Sequence, residues 1–142
     1  MPSQLQSPEV QAFATGFPVT LLHASVTLVM LVLGTALYAL MTPHKEIALI
    51  REGNSAAALS LGGVMVGLAI PLAISLTAST SVIEILIWGA ATIAVQLLVF
   101  RVTDMVLKGL PERIQDGEIS AAVLLVGAKL ATALVLAAAV AG

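Results

Sequence analysis

The sequence predicts an all-α fold: a polytopic membrane protein with four transmembrane helices arranged as two parallel two-helix repeats. Three observations predict it. Four apolar runs, residues 19–41, 55–77, 82–107 and 119–140, fill most of the 142-residue chain, and each matches the ~20 residues a helix needs to cross a bilayer core. Charged residues make up only 10% of the chain, against roughly a quarter in a soluble domain, so no water-facing surface can be built from this supply. The loop before the second run also has a near-copy before the fourth.

The segment before the first run, Met1 to Phe17, holds no Lys or Arg and carries Glu9. The positive n-region of a signal peptide is therefore missing, and the first run is longer than a usual h-region. It reads as a retained helix behind a short outer tail, residues 1–18, with Pro18 suited to the first helical turn. Repeat 1 covers residues 19–78 and contains an inner loop, 42–54. Thr42-Pro43 stops the first helix, and Pro43 to Glu52 suggests a short interfacial helix. There Ile47 and Ile50 face lipid while Lys45, Glu46, Arg51 and Glu52 stay wet. Gly53 suits a C-cap, and Asn54 or Ser55 an N-cap.

Repeat 2 covers residues 79–142, with an inner loop at 108–118. Ser81 and Glu84 form the S-x-x-E capping box that opens the third run. The repeat is read by laying Ile50-Arg51-Glu52-Gly53-Asn54-Ser55-Ala56-Ala57-Ala58-Leu59 on Ile114-Gln115-Asp116-Gly117-Glu118-Ile119-Ser120-Ala121-Ala122-Val123, where Ile, an acid, Gly and Ala-Ala recur in register. In that register Gly63 falls on Gly127, and Pro43 and Pro111 each open an inner loop. Both halves then run in the same direction through the membrane, about an axis along the bilayer normal.

Lys45, Arg51, Arg101, Lys108 and Arg113 all fall in or beside the two inner loops, whereas the first tail, the 2–3 turn and the C-terminus carry no Lys or Arg. The positive-inside rule puts those loops in the cytoplasm and both termini outside. Phe13, Phe17 and Trp88 fall at the outer interface, and Tyr38 and Phe100 towards the inner one.

Lys129 is the sharpest candidate for function. It lies about ten residues into the last run, where a charged lysine costs about 2.5 to 3.5 kcal/mol on insertion scales. Gln96 lies at a similar depth in the third run and shares a face with Thr92, so Lys129, Gln96 and Thr92 form a candidate intramembrane polar site. The alternative is structural. Side chains lean towards a helix N-terminus, so Lys129 can snorkel towards the inner edge, about 15 Å away, or hydrogen-bond to Gln96 or to carbonyls.

Gly63, Gly67 and Pro71 form a small-residue packing stripe rather than a nucleotide loop, because no strand precedes them and no Lys-Ser/Thr comes after. Arg101, Asp104 and Lys108 read as an interfacial ion network. His44, Arg51, Gly53 and Asn54 are candidate cytoplasmic contacts. His23 and His44 lie at opposite ends, so no shared metal site is expected. With no cysteine, no nucleophile–base set and no basic patch, no cofactor, no catalysis and no nucleic-acid partner are expected.

Thr42-Pro43-His44, Leu49-Ile50, Gly53-Asn54-Ser55-Ala56-Ala57, Gly63, Gly67, Ile70-Pro71-Leu72, Trp88-Gly89 and Gln96-Leu97-Leu98-Val99-Phe100 succeed one another in a way that resembles the YjfL-like bacterial inner-membrane family. That family is a duplicated two-helix domain of unknown function, family 350. The resemblance runs from about Tyr38 to Val140. The second half departs from it at Glu118-Ile119-Ser120-Ala121-Ala122, where members often show Asn-x-Ala-Ala-Gly. The resemblance implies a four-helix inner-membrane protein without assigned catalysis, encoded beside envelope-stress proteins of the PspA kind. It leaves two functional expectations. One is a scaffold or anchor that contacts other membrane or peripheral envelope proteins through its inner loops. The other is a homo-oligomeric pore or small transporter subunit, sealed by the Gly63/Gly67 face and lined by Lys129 and Gln96.

Overall fold

The structure is a computed structural model and describes residues 4–42 and 45–142. A 3-10 turn, Gln4–Gln6, leads into α1 (Pro8–Met41); then come α2 (Glu46–Arg51), α3 (Ser55–Ala78), α4 (Val82–Val106), α5 (Leu110–Gln115) and α6 (Ile119–Ala141). Among the described residues every regular element is helical, and α1, α3, α4 and α6 are long and apolar enough to cross a membrane. Their outward faces carry exposed Leu33, Leu40, Leu98, Val106 and Val135, as expected of a surface solvated by lipid.

Helix α1 starts ten residues before Pro18, which corrects the placement of that proline in the first turn. Ser7 supplies the real N-cap, its side chain accepting from the Val10 N–H at 3.3 Å, and Pro8 takes the first helical position. A proline there lacks only an N–H that would be unpaired anyway. Pro18 sits inside the helix. Its ring leaves the Ala14 carbonyl without its usual donor, and the helix passes through. At the other end Thr42 closes α1, its N–H and hydroxyl both donating to the Tyr38 carbonyl, at 3.0 and 3.2 Å. Pro43, expected to stop this helix, lies outside the described residues.

The two short helices end alike. Gly53 and Gly117 have φ of 91° and 86°, a conformation that only glycine adopts at little cost. The Gly53 N–H donates to Ile50 O at 2.9 Å and the Gly117 N–H to Ile114 O at 2.9 Å. The Asn54 N–H reaches Leu49 O at 2.9 Å, and the Glu118 N–H reaches Arg113 O at 3.0 Å. These are paired carbonyl-satisfying turns of the Schellman type. The two turns lead into differently capped helices. The Asn54 side chain caps α3 by accepting from the Ala57 N–H at 3.0 Å. Glu118 makes no side-chain cap and instead pairs with Arg113 at 2.5 Å.

Helix α3 is the centre of the bundle, touching all five other α-helices, and its most extensive contact is with α6. Small residues allow this. Ala56, Ala57, Ser60 and Gly63 on α3 meet Ala121, Ala122, Leu125 and Val126 on α6. Without a hydrophobic drive between helices in lipid, such close approach is what supplies packing energy. A Cβ on Gly63 would lie 2.5 Å from Val126 Cγ2, and one on Gly67 would lie 2.6 Å from Phe100 Cζ. The stripe therefore packs against α6 and α4 of its own chain. Pro71 is buried on the same helix, which continues unbroken to Ala78. A second core joins Met30, Tyr38, Val64, Leu68, Ile93, Leu97 and Phe100.

The capping box forms, with the Glu84 N–H donating to Ser81 Oγ at 3.2 Å. The return bond goes one residue earlier than expected, from the Thr80 N–H to Glu84 Oε2 at 2.9 Å.

Candidate functional site

Three long helices bring polar groups together near the end of the bundle that carries α2 and α5. Tyr38 comes from the last turn of α1, Asp104 from the last turn of α4, and Lys129 from the middle of α6. Lys129 Nζ stands 2.8 Å from Asp104 Oδ1 and also donates to the Tyr38 hydroxyl. The Tyr38 hydroxyl in turn donates to Asp104 Oδ2 at 3.1 Å. Lys129 is 0% exposed and the Asp104 side chain 9%. A buried charge persists only when paired and hydrogen-bonded, and this triad does both. Phe100 walls it off from the rest of the bundle, with its ring edge-on to Tyr38 at 6.1 Å and its centroid 5.5 Å from the Lys129 nitrogen.

The aromatic placement is corrected accordingly. Phe13, Phe17 and Trp88 are exposed, but Tyr38 and Phe100 are core residues rather than an inner interfacial belt. Phe100 fills the space left by Gly67, and the Tyr38 hydroxyl has ionic partners to meet.

Glu46 also departs from the sequence expectation. It was expected to stay wet, yet it is 5% exposed, turned inwards from the first turn of α2. Burial, opposed by the Lys129 charge and helped by Asp104, pushes its carboxyl up to about 7. Its Oε2 has no hydrogen-bond partner among the described residues. Ile50, expected in lipid, packs against the Ala56–Ala57–Ala122 cluster, which rotates α2 so that Glu46 faces the core.

A cavity of about 350 Å³ opens beside these groups. Tyr38, Glu46 and Asp104 line it together with Arg101, Lys108 and Glu112. Arg101 Nη1 lies 3.9 Å from Asp104 Oδ2, so the expected i,i+3 pair exists in loose form while the carboxylate's close partners are Lys129 and Tyr38.

Gln96 and Thr92 are both buried on α4, on the same face as Phe100 and Asp104. Neither amide atom of Gln96 has a partner among the described residues. Lys129 turns to Asp104 instead, and Thr132 bonds within its own helix to Lys129 O at 2.8 Å. Arg51 is exposed. Gly53 makes the left-handed turn, and the Asn54 side-chain NH₂ crosses to the other short helix, donating to Ile114 O and Gln115 O, both at 3.0 Å. His44 lies outside the described residues. Among the described residues no group of three or more His, Cys, Asp or Glu could hold a metal ion.

Sequence reasoning passed over Tyr38, Glu46 and Asp104 as site residues. Charge balance carried the signal for one of them. A buried lysine needs an acid, and Asp104 is the acid set within the third run near the lysine's end of the membrane.

Comparison with known proteins agrees with this architecture. Residues 12–140 match the family described as Domain of Unknown Function (DUF350). The chain is 31% identical over 102 residues to the UPF0719 inner membrane protein YjfL of Escherichia coli strain K12, covering 72% of this chain and 77% of that one. The same figures hold for the YjfL protein of Escherichia coli O157:H7. No solved structure matches the chain. With four apolar helices of spanning length, these relatives support a multi-pass inner-membrane location. The buried triad and its cavity are thus features of a chain that belongs to the DUF350 family.

Proposed function

We propose that the protein is a non-enzymatic scaffold of the inner membrane, whose α2/α5 end faces the cytoplasm and docks a peripheral envelope-associated protein, such as one of a stress-response complex. The observation that carries this reading is the Asn54 bridge. One side chain caps α3 and also donates twice to the backbone at the end of α5. The bridge adds to the shared packing of Ile50 and Ile114 and ties the two loops into one surface, with Arg51, Arg113 and Glu118 exposed on it. The basic residues gathered at this end favour a cytoplasmic orientation, with both termini outside. The shared Schellman turns favour reading the two hairpins as copies of one unit.

The test is gentle extraction of the complex, followed by native mass and composition. A monomer or small dimer carrying a soluble protein, lost on Arg51→Ala or Asn54→Ala, is the expected result. A ring of identical copies with nothing else bound would sink the scaffold.

A pore or small transporter subunit is the second reading, favoured by Gln96, whose buried amide has no partner among the described residues. Two observations weigh against it. The Gly63/Gly67 face that would seal an oligomer is occupied within the chain, and the Lys129 charge is neutralised by Asp104. Ion flux into proteoliposomes that falls on Gln96→Leu would favour this reading; no flux from the wild type would remove it.

A further inference from the structure

We propose that the cavity between α2, α4 and α5 binds a small ammonium–phosphate zwitterion, the chemistry of ethanolamine phosphate, with its ammonium donating to Glu46 and its phosphate held by Arg101 and Lys108. This goes beyond the scaffold reading and stands whether or not a protein docks on the same face.

Glu46 points to the ammonium. It is 5% exposed, it lines the cavity, and its Oε2 lacks a donor among the described residues. A buried carboxylate oxygen left without a donor is costly, and a primary ammonium brings three donors and the opposite charge. A bare metal ion fits poorly. The cavity is about 350 Å³, and Ca²⁺ or Mg²⁺ asks for six or more oxygens where the Lys129 charge already acts on Glu46. Burial holds the Glu46 carboxyl up near 7, and an ammonium beside it favours the ionised form.

The remaining lining points to the anion. Asp104 is committed to Lys129 and Tyr38. That leaves Glu46 and Glu112 against Arg101 and Lys108, a balanced set that suits a ligand carrying both signs. The Arg101 contact to Asp104 is long, at 3.9 Å, and its side chain is 31% exposed. Its guanidinium fork is therefore available to a phosphate, for which its planar donors are suited. The same group occurs free in solution and as the headgroup of phosphatidylethanolamine.

The experiment uses the full chain in nanodiscs, in two arms. In discs of phosphatidylglycerol alone, O-phosphoethanolamine is titrated by calorimetry. In discs mixing phosphatidylethanolamine and phosphatidylglycerol, native mass spectrometry counts which lipid the protein retains. Binding in the first arm assigns the soluble zwitterion; selective retention of phosphatidylethanolamine assigns the headgroup. Glu46→Gln preserves shape and removes a buried charge, and folding is checked by circular dichroism. It should lower affinity or retention at least about tenfold. Arg101→Gln should erase the preference for O-phosphoethanolamine over plain ethanolamine. No binding in either arm, or equal binding by Glu46→Gln, overturns the proposal.

Discussion

Lys129 of α6 and Asp104 of α4 hold their charges 2.8 Å apart, with the ammonium sealed from solvent and the carboxylate almost so. Each side chain is tolerable there because of the other. Removing one partner of a buried pair costs about 3–5 kcal/mol, whereas replacing both with apolar groups of similar volume is close to neutral. Lys129→Met and Asp104→Leu should each destabilise the protein by that order, and the double variant should recover most of the loss. Unfolding titrations of the four proteins in micelles measure this as a coupling energy. Additive losses would mean the pair is not a unit. The cycle also shows why Lys129→Met alone is a poor probe of transport, since it exposes the fold to an unpaired buried carboxylate.

Glu46 makes stability depend on pH in an unusual direction. Its carboxyl titrates at 4.5 when unperturbed and at about 7 in the fold, raised first by burial and then by Asp104, with Lys129 opposing. Between those values the native state keeps a proton that the unfolded chain has released. Its contribution is therefore full below pH 4.5, declines as pH rises, and is lost above about 7. The total is roughly 3 kcal/mol, at ~1.4 kcal/mol for each pK unit. Glu46→Gln should flatten this slope between about pH 4.5 and 7. An unchanged slope would assign it to another group.

The glycine stripe predicts a graded response. Gly67→Ala drives a methyl to within 2.6 Å of Phe100 Cζ and should cost about 1–3 kcal/mol. Phe100→Leu should relieve part of that. Gly62→Ala has nothing within 4 Å of the new Cβ and should be neutral or mildly stabilising, because alanine is the better helix former. Thermal unfolding of the three variants separates close packing from general helix propensity.

Asn54→Ala removes a helix cap and two inter-loop bonds at once. The cap alone is worth about 1 kcal/mol, and each lost bond adds about 1 kcal/mol. Hydrogen exchange should rise at Ile114 to Glu118 and in the first turn of α3 together. Faster exchange in α3 only would show that the bridge does not hold the loops as one.

The all-α class with four spanning helices was legible in the sequence because bilayer thickness fixes helix length, and four runs of that length fill most of the chain. The caps at Asn54 and Ser81 and the turn at Gly53 were legible for local reasons, since each needs only its neighbours. The site was legible in part. Lys129 stood out because its cost in hydrocarbon is intrinsic to the residue. Its partners did not, because Tyr38 and Asp104 look like interface residues from their position along the chain. Only the packing of α1 against α3 and α4, and of α4 against α6, turns them inwards. Glu46 was read as wet because a short amphipathic helix has two nearly equivalent settings. The choice between them is made by where Ile50 docks, which is a tertiary fact.

Helix α1 buries only Met30, Gly34 and Tyr38 of its 34 residues. All three lie in its second half, and their neighbours come from later helices. The order of synthesis gives this a consequence. Of the four spans α1 precedes the others in the chain, and the groups that its buried Tyr38 meets belong to spans that follow it. Asp104 arrives with the third span, and the ammonium arrives only with the last. Of the four spans α6 is therefore the keystone: without it Asp104 keeps a largely buried carboxylate with no ammonium beside it.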